Sequence, residues 1–465
     1  MRKKLLAAFL CVIVLGGNAQ DFPGIRSGNY TGVNGVFFNP ANIADSRYRW
    51  DVNLFSVSTF VGNNQASFNL NTIGETFGED DFTKQIINGN SGPASALVSA
   101  NIHGPSFMFN VGKKSAIAIT SRARVMVNVV DIDGKLLQQL SDDADKDQTF
   151  PYSINSTTNM RLAMNAWSEI GASYARTITE KGPHFLKGGV TLKYLGGVGN
   201  GFVNIDNFKS TINDDALGDV YLNNTTGRIG VGFGGVNFSD FETSSLSKME
   251  SSGFGADIGF VYEFRPADKA GPLGKDRNKY KFKVGLALID IGSIKYNKDM
   301  QRSGSYNIDI TGAERLYLKE IEDTDVDDYN SFFKSRPQYF TPATDNNETS
   351  YSVSLPTTMN LDVDYHVKKG FYVSASGLFS LIEKSAKAQN GMFYSNFNVT
   401  PRLETRMFGV YLPVGYNALT KFNAGFSLRA GPLFFGSGSV ISSLLGDSKQ
   451  ADVHIGIRFG GLQKK

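Results

Sequence analysis

The sequence predicts an all-β protein, a transmembrane antiparallel β-barrel of about 14 strands, with 12 as the lower count. Three observations support this prediction. Apolar and polar residues alternate with a period of two in many segments, as in a strand with one apolar and one polar face. The connections between these segments alternate between short and long. After Ala19, no apolar run approaches the roughly 20 residues that a membrane-spanning helix needs.

The N-terminus has the pattern of a secretory signal peptide, which we predict to span residues 1–19. Arg2-Lys3-Lys4 is a basic region, Leu5 to Leu15 is apolar, and Gly17-Asn18-Ala19 is a small-residue cleavage site, so cleavage is predicted after Ala19. The only cysteine, Cys11, lies inside this signal. A large mature chain without cysteine is more typical of a bacterial envelope than of a eukaryotic secretory pathway.

The strands are predicted from the alternation. Tyr48, Trp50, Val52 and Leu54 alternate with polar residues, and so do the apolar residues from Phe254 to Phe264. Further segments of this kind are 117–127, 164–174, 190–194, 280–288, 359–367, 371–379, 399–407 and 453–459. Most approach the roughly 9–11 residues of a tilted membrane strand and exceed the 5–6 residues that are typical of globular proteins.

The connections sort by length. Short turns are predicted at 112–114, 179–182, 368–370 and 417–421, and long loops at 62–104, 129–160, 197–252, 297–350, 382–397 and 437–450. This gives about 12 strands, and one more hairpin within 202–237 would give about 14. Outer-membrane barrels have this layout, with the short turns in the periplasm. A soluble β-sandwich also alternates, but its strands are shorter and its loops are not sorted by length.

The same alternation assigns charged residues to the lumen. The residues predicted to face inward are Arg122, Arg124, Glu169, Lys193, Asp257, Glu263, Lys281, Lys283, Asp362, Asp364, Arg402, Glu404 and Arg406. Two interpretations are open: a water-filled path whose walls select a solute, or a lattice of ion pairs that fills the lumen and stiffens the barrel. Both signs of charge are present in quantity, and we favour the lattice.

Composition and motifs argue against several function classes. The net charge is +3, with 47 Lys and Arg against 44 Asp and Glu, so nothing indicates nucleic acid as a partner. The four histidines have no metal-ligand spacing, and no G-x-S-x-G motif occurs. We therefore predict no enzyme, no catalytic residues, no cofactor and no resident metal.

Two motif matches are weak. Gly230 to Gly235 fits G-x-G-x-x-G, but the residues after it do not open a helix. Asp323 to Asp327 has the spacing of a calcium loop, yet Asp328 stands where the turn needs glycine and Lys334 where the bidentate glutamate belongs. Whether the acidic loop 314–350 binds calcium is left open, and a solvated loop is the favoured interpretation.

Several segments resemble an uncharacterised family of outer-membrane barrels from the Bacteroidota. They are 21–24, 39–41, 191–197, 253–266, 289–296, 354–357, 428–432 and 451–453. That family is similar to the FadL superfamily, which includes long-chain fatty-acid and aromatic-hydrocarbon transporters and the PorV component of the type IX secretion system. The resemblance implies a barrel of fourteen strands with an N-terminal plug, the hatch, inside the lumen.

The resemblance also places a hatch motif. In the FadL-type pattern an Asn-Pro-Ala motif lies in the hatch just before the first strand, and Asn39, Pro40 and Ala41 occupy that place. It implies a hatch or plug segment at 20–46 and a barrel with long extracellular loops at 47–465. Proline fixes φ and biases the residue before it away from helix, so Asn39-Pro40 should form a rigid corner.

Two functions follow as expectations. In the first, the chain is a FadL-like barrel of the bacterial outer membrane that admits hydrophobic or amphipathic small molecules, with the hatch as the gate. In the second, it is a non-transporting docking or structural component, PorV-like, whose long loops meet a secretion-system or surface-protein partner. Outer-membrane lipid surrounds the barrel in both.

Overall fold

A computed structural model describes residues 22–67, 69–70, 92–139, 149–237, 249–266, 280–384 and 387–463. The predicted signal peptide lies outside these ranges. The strands are β1 (Tyr48–Asn63), β2 (Ala94–His103), β3 (Ser106–Val111), β4 (Ser115–Ile132), β5 (Tyr152–Asn155), β6 (Met160–Lys181), β7 (His184–Asp214), β8 (Val220–Gly235), β9 (Ser251–Phe264), β10 (Phe282–Asn297), β11 (Gly304–Ile310), β12 (Leu316–Tyr317), β13 (Phe340–Pro342), β14 (Ser350–Ser354), β15 (Thr358–Lys368), β16 (Phe371–Ser380), β17 (Asn396–Glu404), β18 (Phe408–Tyr411), β19 (Val414–Asn417), β20 (Lys421–Ala424), β21 (Phe426–Ala430), β22 (Leu433–Ser437) and β23 (Gln450–Leu462).

The helices are short. Four are α-helices: α1 (Gly134–Gln139), α2 (Leu318–Glu322), α3 (Tyr329–Lys334) and α4 (Val440–Leu445). The 3₁₀ helices are Ile25–Ser27, Gly32–Phe37, Pro40–Ile43, Val326–Asp328 and Thr344–Asn347. Among the described residues, no helix is long and apolar enough to cross a membrane.

The wall is a closed antiparallel barrel of fourteen strands, as predicted. It closes because the first and last strands pair, with Val52 opposite Phe459. Ten wall strands are continuous, and four consist of two pieces: β2 with β3, β14 with β15, β18 with β19, and β20 with β21. The breaks fall at Gly104-Pro105, Pro356, Pro413 and Gly425, where proline lacks an amide for the ladder or glycine interrupts it.

The wall presents two different faces. Side chains that point away from the barrel are apolar and exposed, such as Leu192 (66%) and Phe254 (76%). Their neighbours that point inward are polar and buried, such as Lys193 (4%) and Asp257 (1%). An apolar outer surface of this kind suits a lipid environment. The closed ladder suits it too, because it leaves no strand edge with unpaired backbone groups.

The two ends of the barrel also differ. Short turns join β3 to β4, β6 to β7, β15 to β16, β17 to β18 and β21 to β22 at one end, here called the short-turn end. The predicted short turn at Asn417 to Lys421 lies instead at the opposite, long-loop end, because β18 and β19 carry the chain across the wall before it. That prediction was wrong about the end.

The predicted hairpin within 202–237 exists, but it does not belong to the wall. The first half of β7 pairs with β9 in the wall, and its second half, from Gly199, pairs with β8 beyond it. The wall strands that the alternation did not single out are instead β2 with β3 and the strands between residues 408 and 437.

The long-loop end carries a folded structure, here called the cap. It consists of β5, the second half of β7, β8, β11, β12, β13, α2 and α3, and its sheet continues through the pairs β7–β8, β8–β11 and β11–β13. A buried apolar cluster lies inside it, with Phe208, Ile212, Leu222, Tyr306 and Phe333 among its members. The cap therefore has a hydrophobic core of its own.

Candidate functional site

The Asn39-Pro40-Ala41 motif forms a capped corner in the N-terminal segment, defined here as residues 22–47. Asn39 is extended (φ −162°, ψ 115°), and Pro40 opens the 3₁₀ helix that follows. The Asn39 Oδ1 accepts a hydrogen bond from the Ala41 amide at 2.9 Å. The Nδ2 of the same side chain donates to the carbonyls of Phe260 at 3.1 Å and Leu286 at 3.3 Å. One side chain thus caps the helix and attaches the segment to β9 and β10.

Two glycines of the wall, Gly189 and Gly259, make room for this corner, and Gly285 lies beside it; the three are here called the glycine notch. A Cβ atom at Gly259 would lie 2.2 Å from the Asn39 Oδ1, and one at Gly189 would lie 2.6 Å from the Ala41 amide nitrogen. At Gly285 it would lie 3.4 Å from the Asn39 Nδ2. Gly189 and Gly259 are direct partners in the β7–β9 ladder. The notch was not predicted, because these glycines resemble those of any twisted strand.

Charged groups anchor the segment elsewhere. The Arg265 guanidinium lies 2.7 Å from the Asp45 carboxylate. Near the start of β1, the Asp51 carboxylate accepts a hydrogen bond from the Val33 amide at 2.7 Å, and Arg458 pairs with the same carboxylate at 2.6 Å. The segment is buried along nearly its whole length and contributes no strand to the wall.

The largest group of inward charges, here called the central network, joins five strands. Its members are Arg122 and Arg124 of β4, Glu169 of β6, Lys193 of β7, Asp257 of β9 and Asp290 of β10, with side chains 1–4% exposed. Arg124 lies 2.7 Å from Asp290 and 3.1 Å from Glu169. Lys193 lies 2.6 Å from Asp290 and 2.7 Å from Asp257. Three cations therefore meet three carboxylates.

Asp290 was missed by the sequence analysis, although it contacts three cations of the network. The ladder between β9 and β10 shifts register between Leu288 and Ile291, and Asp290 has a positive φ of 61°. Aspartate is among the few residues that tolerate this conformation. The extra residue interrupts the period of two, so the alternation could not assign Asp290 to a face.

A second group lies on β15 and β17. Arg402 lies 2.6 Å from Asp364 and 3.1 Å from Glu404, and all three side chains are no more than 3% exposed. Glu404 also accepts a hydrogen bond from the Asn29 amide at 3.1 Å. This group therefore links the wall to the N-terminal segment.

The remaining predicted residues lie outside these two groups or at their edge. Lys283 lies 3.7 Å from the Asp364 carboxylate, and Lys281 donates a hydrogen bond to the His366 carbonyl at 3.0 Å. Asp362 lies 3.8 Å from Arg26 of the N-terminal segment, and Glu263 lies 2.6 Å from Arg265. Arg406 does not line the lumen: it is exposed and lies in the turn after β17. The strand ends at Glu404, so the alternation that assigned Arg406 inward no longer applies there.

These ion pairs form a lattice of buried charges. Removing charges from water is costly, and their mutual attraction recovers this cost only when every partner is present. The loss of one partner from a buried pair typically costs about 3–5 kcal/mol. The networks thus stabilise the arrangement of the wall strands and the seated position of the N-terminal segment.

An apolar layer crosses the lumen above the central network. Its buried members are Phe60, Leu97, Met126, Trp167, Leu195, Ile294, Tyr296, Val353, Leu355, Leu378, Met392, Phe393, Tyr394 and Leu419. Trp167 connects the two levels, since its Nε1 donates to Glu169 at 2.9 Å and its ring lies 4.6 Å from the Arg124 guanidinium.

Part of this layer comes from a loop that folds into the barrel, residues 387–394, here called the loop plug. Asn128 of β4 makes two hydrogen bonds with the backbone of Met392, at 2.9 and 3.1 Å. Asn200 of β7 donates to the Gln389 carbonyl at 3.1 Å, and Arg161 of β6 donates to that of Lys387 at 3.2 Å. The plug is held by side chains of the wall and not by strand pairing.

Above the loop plug lies an open cavity of about 950 Å³, here called the outer basin. Residues of β7, β8, β11 and β14 line it, together with the loop plug. Tyr351 belongs to its lining and also packs against the apolar layer. The basin therefore adjoins the apolar layer.

Within the described ranges, no group of three or more His, Cys, Asp or Glu side chains could hold a metal ion. In the acidic loop 314–350, Asp327 pairs with Arg302 at 3.1 Å, and Arg302 also pairs with Asp299 at 2.8 Å. Burial alone would raise the pKa of Asp299, but hydrogen bonds from Arg302 and from the Gln301 amide lower it below its usual value.

The model of a family of unknown function, DUF5723, matches residues 40–438. The chain belongs to DUF5723. Its matched region begins inside the Asn-Pro-Ala motif and includes all of the glycine notch and the central network. No curated protein matches this DUF5723 chain at a significant level.

Solved structures similar to this DUF5723 protein include the following three. The toluene transporter TbuX of Ralstonia pickettii has 9% identity and a TM-score of 0.39, with 97% of this chain and 100% of that chain covered. A FadL homologue of Pseudomonas aeruginosa has 9% identity and a TM-score of 0.43, with 95% and 97% covered. A deletion mutant of the monoaromatic hydrocarbon channel TodX has 8% identity and a TM-score of 0.44, with 93% and 95% covered. These TM-scores are low, so the architecture described above rests on the strand pairing of the chain itself.

Proposed function

We propose that this protein is an outer-membrane barrel that admits amphipathic small molecules. The N-terminal segment is its hatch and gate at the short-turn end, and the loop plug is a second closure at the long-loop end. The proposal rests on the way in which the N-terminal segment and the loop plug are attached to the wall. Neither contributes a strand to the wall: hydrogen bonds and ion pairs attach the N-terminal segment, and hydrogen bonds from wall side chains attach the loop plug. Each can therefore move while the wall ladder stays intact.

The succession of a polar basin and an apolar layer along the barrel supports an amphipathic solute. A molecule that arrives at the long-loop end meets the polar outer basin first and the apolar layer next. A purely polar solute would gain nothing from the layer, and a purely apolar one would leave the hydrogen-bonding groups of the basin unsatisfied. The exposed apolar face of the wall supports an outer-membrane location, with the short turns in the periplasm.

A reversible tether tests the gate. The sequence has no cysteine after Cys11, so introduced cysteines are the only thiols once the predicted signal is removed. A Cβ at Gly438 would lie 3.2 Å from the Cβ of Pro23, near the roughly 3.8 Å of a disulfide. The pair Pro23→Cys with Gly438→Cys thus links the N-terminal segment to the residue that follows β22. As a control, a Cβ at Gly35 would lie 3.2 Å from that of Asn42, and both residues belong to the segment.

The readout is the uptake of labelled laurate by cells that express the full chain. We expect the oxidised Pro23–Gly438 pair to stop uptake and a reductant to restore it, while the Gly35–Asn42 pair has no effect in either state. If the oxidised Pro23–Gly438 variant takes up laurate as fast as the reduced variant, the segment is not the gate. If no form of the protein raises uptake above that of cells without it, the transport proposal fails.

A second function, docking of a secretion-system or surface-protein partner, is favoured by one observation. The long loops are not loose connections, because the cap has its own sheet and apolar core. Leu217, at the tip of the β7–β8 hairpin, is 89% exposed. A photo-cross-linking residue at position 217 should capture one defined partner in intact cells. If nothing is captured and deletion of the tip leaves surface-protein export intact, the docking function is refuted.

A further inference from the structure

The outer basin is lined mainly by hydrogen-bonding side chains. Its neutral polar lining includes Asn159, Asn204, Asn207, Ser305, Ser350 and Gln389. At about 950 Å³ it is as large as the cavities that hold small-molecule ligands. An apolar ligand would remove these groups from water without replacing their hydrogen bonds, which is unfavourable. A ligand that fills the basin must therefore carry many hydroxyl or similar groups.

Two polar atoms of the lining are buried with no hydrogen-bond partner among the described residues. They are the Tyr351 hydroxyl and the Asn159 Oδ1. Buried polar atoms of folded proteins nearly always have a partner. Both residues line the basin, so a movement of the side chain that turns either atom toward a hydroxyl-bearing ligand there would supply the missing partner.

The charged lining has an excess of positive groups. Four cations and three carboxylates line the basin: Arg228, Lys298, Lys384 and Lys387 against Asp131, Asp206 and Glu348. Lys384 is already paired with Asp131 at 2.8 Å. Lys298 and Lys387 make no ion pair within the described part of the chain. These two ammonium groups are available for a negative group of a ligand.

An aromatic pair completes the lining. The rings of Phe202 and Tyr351 lie 5.9 Å apart at an interplanar angle of 83°, and both side chains are partly exposed. The C–H faces of a sugar ring are apolar and pack against aromatic rings, while its hydroxyl groups point to polar side chains. An aromatic pair among amide and hydroxyl groups is thus suited to a sugar.

From this juxtaposition of amide groups, an aromatic pair and two ammonium groups without ion-pair partners, we propose that the outer basin binds an anionic saccharide. The ligand is a sugar chain with carboxylate or phosphate groups, either free or as the polar part of a lipid. The assignment goes beyond the proposed transport function, because binding at the basin requires no movement of the N-terminal segment or the loop plug.

Isothermal titration of the purified full chain in detergent tests the assignment. The probes are alginate trisaccharide, which carries a carboxylate on each sugar, and maltotriose, which is neutral and of equal length. Lipopolysaccharide micelles test the lipid-linked form. The basin variant is Lys298→Gln with Lys387→Gln. Its control is Lys295→Gln with Lys334→Gln, which removes two exposed ammonium groups that do not line the basin.

We expect at least one anionic probe to bind, and the basin variant to weaken that binding about tenfold or more, since hydrogen bonds to charged groups are the strong ones. The control variant should bind as the parent does, and Tyr351→Phe should also weaken binding. Equal unfolding temperatures of all variants show that each is folded. Three results would overturn the assignment: no binding of either anionic probe, equal binding by the basin and control variants, or full displacement by an equal concentration of inorganic phosphate.

Discussion

Replacing Gly189 with alanine tests whether the N-terminal segment is seated against the wall through the glycine notch. The new methyl group would lie 2.6 Å from both the Ala41 amide nitrogen and the Pro40 carbonyl carbon. These are backbone atoms that cannot rotate away, so the segment must retreat by roughly 1 Å to reach an ordinary contact of about 3.5 Å. Overpacking of this kind costs about 1–3 kcal/mol. Because the cost falls on the seated state alone, the unseated population should rise roughly fivefold to more than a hundredfold.

Hydrogen exchange measures this population. Amides of residues 32–44 in the purified chain should exchange faster in Gly189→Ala by that factor. Gly188→Ala is the matched control, because its methyl group would meet the Ile178 Cδ1 at 3.0 Å and the Phe260 ring at 3.1 Å. Those side chains lie on the outer face and can rotate. Equal exchange of the segment in the two variants would refute the seating of the corner in the notch.

Three further predictions concern the networks and loops. Asp290→Asn should lower the free energy of unfolding by about 3–5 kcal/mol in guanidinium titrations, since it leaves buried cations without their carboxylate; a loss below about 1 kcal/mol would contradict its role. Asn128→Ala should weaken the attachment of the loop plug by about 1–3 kcal/mol and speed hydrogen exchange at the Met392 amide, whereas unchanged exchange would show that other contacts hold the plug. The lowered pKa of Asp299 means that its stabilising effect is complete above about pH 4 and is lost as the pH falls through the folded value. Exchange at the Arg302 amide, corrected for its intrinsic rate, should therefore rise below about pH 4, and Asp299→Asn should abolish this dependence.

The barrel could be predicted where the alternation is unbroken. From Phe254 to Phe264 the period of two continues through the wall, and β9 has the expected exposed and buried faces. Two broken strands, β2 with β3 and β18 with β19, were missed because proline at positions 105 and 413 interrupts the ladder and resets the alternation. Each uncounted strand reverses the direction of the chain, which is why the turn after Asn417 was assigned to the wrong end.

The candidate site could be predicted only in part. The Asn39-Pro40-Ala41 corner is a local signal, whereas its contact with Gly189 depends on a strand far away in the sequence. Charges on regular strands, such as Arg124 and Glu169, follow from the period of two, but Asp290 lies at a bulge and escaped it. The loop plug and the outer basin gave no periodic signal, since irregular loops build both.

The N-terminal segment is a gate only if it leaves its seat while a solute passes. Val33 is 0% exposed in the segment, and Ser58 is 0% exposed on the wall, so Val33→Cys and Ser58→Cys are a matched pair for labelling by a membrane-impermeant maleimide. The reagent is added to the short-turn side of the barrel in membranes, with and without laurate uptake. We predict that Cys at position 33 is protected at rest and labelled during uptake, while Cys at position 58 is not labelled faster. Equal labelling at position 33 under both conditions would contradict the gate.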